Sequence, residues 1–402
     1  MKKKLQTFGL ILILIFGLLY ISDYNYLLTA VSKIYLKGHT TAFLSDYEHF
    51  DNRLLPASKT PLPWPLHSGF NSVSLTNDQE QLNLDNKTVA MLLIKNDSVY
   101  FEKYYDGYGI DSKSNSFSMA KSMVSAMLGK AIQEGQIKDL DTKVGDYINT
   151  FRSGNAENLT VGDLSSMASG SNWDESYKSP FSVTTKAYFY DDLASVVKDI
   201  KIKSTPGEKY KYLSGDTQIL AMVLQKATGQ NLSDYLSNSF WKPMGANHEA
   251  LWQIDSEDFG LEKAYCCVAS NAKDFARFGK LYKNHGYWNG KKILDSSFVA
   301  TSTKGRFKES PHYGYGWWII PNYNGKRFFM MRGHLGQYVI VQPDDDLIIV
   351  RLGQKAAKKS KNDVFSADIY KYIDSAYSIL SNDWKMNLEG KYADQKTFMR
   401  RY

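Results

Sequence analysis

Strand-forming segments at the two ends of the body, with a long helical stretch between them, constrain this chain more than any other feature. Thr88-Val89-Ala90-Met91-Leu92-Leu93-Ile94 is an apolar run of strand length, and Asn96-Asp97 then turns into Ser98-Val99-Tyr100-Phe101-Glu102. Two such runs joined by a polar dipeptide make a hairpin. Strand patterns return in the last third: Gly316 to Ile320, Arg327 to Met331, Gln337 to Val341 and Leu347 to Leu352. From Gly135 to about residue 300 the chain reads as mostly helix and loop, with one clear helix from Asp216 to Thr228 that stops at Gly229. Asp363 to Leu380 reads as a closing helix. This order predicts an α/β fold of the α+β type: an antiparallel sheet assembled from both termini, flanked by helices, with a mostly helical insert as a second lobe. A site would lie between the sheet and the insert.

The N-terminus has its own logic. Lys2, Lys3 and Lys4 precede an uncharged run from Leu5 to Ser22, densely apolar from Phe8 to Ile21. Eighteen residues at about 1.5 Å each reach ~27 Å, just enough for a thin hydrocarbon core. No small-x-small cleavage site precedes Asp23, and Leu28-Thr29-Ala30 has Leu at the first small position. Residues 1–22 are therefore expected to be an uncleaved anchor in the cytoplasmic membrane, with the lysines inside and the body on the periplasmic or extracytoplasmic side. The alternative is a signal whose removal releases a secreted protein. Residues 23–75, with the Pro-rich passage Pro56 to Pro65, read as a spacer leaning on the body, which occupies 76–402.

Charge and cysteine usage narrow the partners. The chain carries 49 Lys+Arg against 42 Asp+Glu. Lys2, Lys3, Lys4, Lys355, Lys358, Lys359 and Lys361 account for the excess, and without them 42 bases face 42 acids. No basic stripe remains for tracking phosphates, which argues against a nucleic-acid partner. The Lys355–Lys361 run is expected to be a solvated loop. Cys266 and Cys267 are adjacent, too close for an ordinary disulfide, and read as small buried apolar residues. The seven His show no ligand spacing, so neither a metal nor another cofactor is expected.

The chemistry enters with Ser118-Met119-Ala120-Lys121, which places a hydroxyl and an amine one helical turn apart on one face. A lysine desolvated beside a serine releases its own proton more readily and can accept the hydroxyl proton. The spacing alone is weak, since Ser195, Ser239 and Ser270 begin further Ser-x-x-Lys matches. Only Ser118 opens an apolar helix, running to about Glu134, after the turn-like Asp111-Ser112-Lys113-Ser114-Asn115. There the helix N-terminus offers backbone N–H groups and its positive dipole end to a developing oxyanion. No Gly-x-Ser-x-Gly elbow occurs, which argues against an α/β-hydrolase.

Two further texts complete a pattern. Pro206-Gly207-Glu208-Lys209-Tyr210-Lys211-Tyr212-Leu213-Ser214 carries Tyr-x-Ser, and Gly333-His334-Leu335-Gly336-Gln337 carries His-x-Gly on a strand edge. With Ser118-x-x-Lys121 they resemble, in order, the three motifs of the serine β-lactamase and penicillin-binding protein superfamily, in its class C β-lactamase-like form. Leu159–Leu164, Met167–Glu175, Asp274–Gly279 and Gly314–Trp318 support the resemblance, which covers roughly residues 75 to 380. The Trp173-Asp174-Glu175 text and the Tyr-x-Ser form are similar to the 6-aminohexanoate-dimer (nylon-oligomer) hydrolases.

The resemblance implies a cofactor-free serine hydrolase that cleaves an amide or ester of a small-molecule or peptide-like substrate through an acyl-enzyme. Ser118 would be the nucleophile, Lys121 its base and Tyr212 the proton relay to the leaving group. Backbone N–H groups of Ser118 and Gln337 would form the oxyanion hole, beside Gly336. His334 stands where β-lactamases usually carry Lys, and Ser214 where Asn is common. Both departures favour esterase or amidase chemistry. Trp173, Asp174 and Tyr265 are pocket candidates, Tyr265 standing where the nylon-oligomer hydrolases carry Asn. A β-lactamase or D,D-peptidase acting on cell-wall peptide, and a non-catalytic penicillin- or cell-wall-binding protein, are the competing readings.

Overall fold

The computed structural model describes residues 2–360 and 363–381. Lys361 and the stretch 382–402, assigned above to a loop and to the end of the body, lie outside the described residues, as do the side chains of Lys2 and Lys3.

A six-stranded antiparallel sheet is the frame, and its strands come from both ends of the body. Strands β2 (Thr88–Lys95) and β3 (Ser98–Tyr104) form the expected hairpin, with Asn96 and Asp97 both at positive φ. That turn geometry matches the right-handed twist of the strands it joins, and Asn and Asp tolerate it. Strands β9 (Trp318–Tyr323), β10 (Lys326–Gly333), β11 (Gln337–Gln342) and β12 (Leu347–Gly353) complete the order β3-β2-β12-β11-β10-β9. Leu93 stands opposite both Ile349 and Phe101, so the termini meet at the β2–β12 seam.

Period-two alternation then gives the sheet two apolar faces. Leu92, Ile94, Val339, Val341, Ile348 and Val350 enter the main core, while Met91, Leu93, Ile340, Leu347 and Ile349 face the other side. The second face is covered by a helix over residues 367–381, which supplies Ile369, Tyr372, Ile373, Ala376 and Ile379.

The remaining helices are α1 (Lys2–Ile21), α2 (Tyr26–Lys33), α3 (Asn77–Asp85), α4 (Ala120–Gln133), α5 (Val161–Ser165), α6 (Val183–Phe189), α7 (Leu193–Lys198), α8 (Ser214–Thr228), α9 (Leu232–Leu236), α10 (Ala272–Lys283) and α11 (Ser296–Ser302). Helix α10 lies on the sheet at Gly279, where any Cβ would press on Val339, Val341 and Ile348. Helix α4 is buried almost throughout and runs beside α8. Helix α8 ends as expected at Gly229, at φ 67°.

Short strands accompany the mostly helical insert: β1 (Asn52–Leu55), β4 (Ser114–Asn115), β5 (Ala250–Gln253) and β6 (Val268–Ser270) form a second sheet in the order β1-β5-β6-β4. Strands of two to four residues carry too little periodicity to be read from sequence. Residues 52–55 of the spacer meet the body here, where β1 pairs with β5 and Arg53 donates to the buried Glu262. A ribbon of β7 (Tyr287–Trp288) and β8 (Lys291–Lys292) is the third sheet.

Cys266 and Cys267 are buried as expected, but they are bonded to each other as a disulfide, across a Cα–Cα spacing of 3.7 Å. The pairing becomes possible because Cys267 sits at φ 78°, outside the ordinary backbone regions. Neighbours hold that conformation: Trp252 Nε1 donates to the Cys266 carbonyl at 3.1 Å, and Gln253 N to the Cys267 carbonyl at 3.0 Å.

Helix α1 takes up the N-terminal apolar run, yet among the described residues no helix is long and apolar enough to cross a membrane. Residues 355–360 form the expected irregular loop, with Lys355, Lys358 and Lys359 exposed.

Candidate active site

Ser118 lies in a 3-10 turn, Phe117–Met119, that runs directly into α4. Asn115 Oδ1 accepts from the Phe117 N–H at 2.9 Å, and Ser116 N donates to the Val268 carbonyl at 2.7 Å. These bonds hold Phe117 at φ 45°, a conformation that costs free energy and recurs where a side chain must be aimed. From the other side, the Ser122 and Ser125 hydroxyls donate to the Gly316 and Tyr315 carbonyls, each at 2.6 Å. The helix carrying the motif is therefore clamped to the segment that leads into β9, which starts at Trp318 rather than at the expected Gly316.

The expected dyad is assembled. Lys121 Nζ lies 3.0 Å from Ser118 Oγ, 3.1 Å from Ser214 Oγ and 2.8 Å from the Tyr265 carbonyl. Burial dominates its electrostatics and lowers its pKa to about 8, against the opposing pull of Glu175 and Asp216. An amine so tuned is available as a base near neutral pH, whereas an exposed lysine is not. Tyr212 lies with its ring 5.0 Å from Lys121 Nζ, between that amine and Trp318. Burial first, and the Glu175 charge second, push its hydroxyl well above the usual tyrosine range, with a hydrogen bond to Ser118 opposing them. Tyr212 thus keeps its proton and can hand it on. The two environments thus push the amine and the phenol in opposite directions.

The third motif forms a tight turn between β10 and β11. Leu335 is at φ 60° and Gly336 at φ 85°. The Gln337 side chain ties the turn down: its Nε2 donates to the Gly353 carbonyl at 2.6 Å and to the His334 carbonyl at 3.1 Å. Buried Arg351 donates from beneath to the Leu335 and Gly336 carbonyls. Gly333 is a close approach, because a Cβ there would strike the Ser116 carbonyl. The strand edge therefore runs against the nucleophile turn, where the N–H groups of Ser118 and Gln337 were expected to work together.

His334 stacks on Tyr177 with ring centroids 5.8 Å apart and meets the Phe117 edge at 5.5 Å. His334 is exposed, but the protein packed around it lowers its pKa from the ordinary imidazole value, so the ring is neutral at pH 7. A cationic lysine in this position would present a permanent charge; this ring presents none.

The pocket candidates divide. Ser214 is buried on the dyad rather than facing an open cleft. Tyr265 contributes its carbonyl to Lys121, and its buried hydroxyl has no hydrogen-bond partner among the described residues. Trp173 is buried under α8: its indole donates to Thr184 Oγ1 at 2.8 Å, and its ring fills the space beside Gly215. Asp174 is exposed and accepts from the Ser176 N–H.

The next residue, Glu175, is the one the structure brings in. Its carboxylate accepts from the Ser214 backbone N–H and hydroxyl, each at 2.6 Å, and from the Tyr177 hydroxyl. Its place in the Trp173-Asp174-Glu175 text was its only signal, because no spacing links 175 to 214. A cavity of about 360 Å³ adjoins the third motif, bounded by residues 38–45 of the spacer, Tyr108, Leu335 and Gln354.

The family model for beta-lactamase matches residues 80–368, most of the chain. The chain belongs to the beta-lactamase family. A 6-aminohexanoate-dimer hydrolase of Paenarthrobacter ureafaciens is 24% identical over 298 residues, 68% of this chain and 74% of that protein. Protein flp of Staphylococcus aureus is 27% identical over 177 residues, 41% of this chain and 35% of its own.

Among solved structures, one from Bacillus anthracis described as a 6-aminohexanoate-dimer hydrolase superposes with a TM-score of 0.67 at 22% identity, over 86% of this chain and 94% of its own. A family VIII carboxylesterase gives 0.60 at 16% identity, over 79% and 99%. These structural likenesses establish the fold. This member of the beta-lactamase family is a serine hydrolase with the fold that the motifs implied.

Proposed function

We propose that this beta-lactamase-family hydrolase cleaves linear amide or ester bonds of small or peptide-like substrates, with Ser118 as nucleophile, Lys121 as base and Tyr212 as relay. The observation that carries the reading is Lys121 Nζ, buried and tuned to about pH 8, at 3.0 Å from Ser118 Oγ. Ser118 Oγ would bond to the substrate carbonyl carbon while its proton passes to Lys121. The oxyanion would rest on the N–H groups of Ser118 and Gln337, and Tyr212 would protonate the leaving amine or alcohol. Water then releases the acyl group by the same path in reverse.

The neutral His334 supports a preference for uncharged acyl groups over the carboxylate that β-lactams carry. The 6-aminohexanoate-dimer hydrolase relative and the carboxylesterase neighbour point the same way. Purified protein should hydrolyse p-nitrophenyl esters and take up a fluorophosphonate probe, and Ser118→Ala should lose both. Retention of both by Ser118→Ala would overturn the assignment of the nucleophile. Rapid nitrocefin turnover would overturn the reading of His334 and favour β-lactamase or D,D-peptidase activity. Stable acylation without turnover would favour a non-catalytic binding protein.

The N-terminal segment is proposed to anchor the protein in the cytoplasmic membrane, with the hydrolase domain on the outer side. Lys2–Lys4 before an uncharged run, and the exposed Leu10, Leu14, Phe16 and Leu18 on α1, support that placement. The mature N-terminus from isolated membranes tests it, and a start beyond residue 22 would overturn it.

A further inference from the structure

The hydrogen bonds around Lys121 leave little freedom in where their protons lie. A neutral amine has two N–H groups and one lone pair. Lys121 Nζ has three close oxygens: the Tyr265 carbonyl, Ser214 Oγ and Ser118 Oγ. The carbonyl can only accept. Ser214 could give or take, but its hydroxyl is 2.6 Å from Glu175 Oε1, and a carboxylate can only accept. The Ser214 proton is therefore committed to Glu175, and Ser214 must accept from Lys121. Both amine protons are then used, on Tyr265 and on Ser214. The lone pair is left facing Ser118, whose Oγ can take the hydrogen bond it shares with Tyr212 as acceptor, the Tyr212 hydroxyl keeping its proton, and so leave its own proton to Lys121.

We propose that Glu175 is a positioning residue that fixes the direction of these hydrogen bonds, so that the lone pair of Lys121 is held on Ser118 Oγ. This rests on the Ser118–Lys121 reading and extends it to a residue that touches neither partner of the dyad. The carboxylate is itself held: its Oε2 takes the Ser214 N–H at 2.6 Å, and Oε1 also takes the Tyr177 hydroxyl. The other groups facing Lys121 are Asp216 on α8 and the rings of Tyr212 and Tyr265, at 5.0 and 5.8 Å. None of these three donates to or accepts from Ser214 Oγ among the described residues; the Tyr177 hydroxyl, which donates to the same Glu175 oxygen, also reaches Ser214, so Glu175 orders both hydroxyls.

Glu175→Gln is the informative change. The Ser214 N–H cannot reverse, so it takes the amide oxygen, and the amide NH2 is turned on Ser214 Oγ. Ser214 then donates to the Lys121 lone pair and competes with Ser118. With a p-nitrophenyl ester, kcat/KM should fall by about tenfold or more, a modest part of what a general base contributes. The acid limb should move to lower pH, because a negative charge near the amine is gone.

A second change gives the signature. Ser214→Ala should lower kcat/KM in the native background but raise it in the Glu175→Gln background, because it removes the competing hydroxyl. A structural role for Glu175 predicts further loss instead. Should Glu175→Gln not fold, Glu175→Ala replaces it, since it frees the same hydroxyl. Additive losses, or a Glu175→Gln variant with the native rate and pH profile, would overturn the proposal. Ser118→Ala in parallel separates the two levels: if it stays active the dyad reading fails, and if it is inactive while Glu175→Gln is native-like only the positioning role fails.

Discussion

Arg351 Nη1 donates to two successive carbonyls of the third motif, Leu335 at 3.0 Å and Gly336 at 2.7 Å. The guanidinium is fully buried, stacks on the Tyr372 ring, and also donates to the Asn86 and Lys355 carbonyls and to Thr88 Oγ1. It is a cation satisfied by oxygens of several chain segments, and it fastens the turn that presents the Gln337 N–H.

Replacing Arg351 should therefore damage both stability and rate. Arg351→Met leaves several buried carbonyls without donors, a loss of about 3 kcal/mol in urea unfolding. Arg351→Lys should be nearly as harmful, because a single ammonium cannot reproduce the fork. In the folded fraction kcat should fall more than KM rises. Native-like kcat in folded Arg351→Met would show that the turn keeps its shape unaided.

The proposed role of Lys121 as base has a pH signature. It requires the free amine, so kcat/KM should fall as pH drops through about 8. The rate of fluorophosphonate labelling should follow the same curve. An acid limb centred near pH 6 would point away from Lys121 as the titrating group.

Lys263 is a buried cation outside the dyad. Its Nζ donates to the Tyr188 carbonyl at 2.6 Å and lies over the Phe50 ring at 4.4 Å, and burial lowers its pKa to about 7. The unfolded chain binds this proton up to about pH 10.5, the folded chain only below about 7. Between those values the unfolded state holds more protons, so this group makes stability rise with pH. Lys263→Met should flatten that rise, read as a smaller gain in melting temperature between pH 7 and pH 10. A gain in Lys263→Met equal to that of the native protein would contradict the account.

The Cys266–Cys267 bond predicts a thiol count. Unfolded protein should show no reactive thiol without reductant and two after reduction. Two thiols before reduction would restore the reading of free, buried cysteines.

Much of this protein is written locally. Runs of strand length at 88–104 and 318–353, the Asn96-Asp97 turn and the Gly229 stop are short-range preferences, and a short-range pattern is what one sequence carries. Ser118 and Lys121 belong with them, because helical geometry alone places i and i+3 on one face.

Tertiary structure decided what lies between distant segments. Glu175 meets Ser214, Arg351 reaches under Leu335, β1 joins β5, and Cys267 is held in a backbone conformation that permits its bond to Cys266. The environment of Lys121 was settled there too. A Ser-x-x-Lys spacing can put an amine beside a hydroxyl, but burial sets its pKa, and only the fold brings Glu175 onto the Ser214 that touches it. Those depend on which atoms exclude water and which supply charge, and the folded chain draws them from four separate segments.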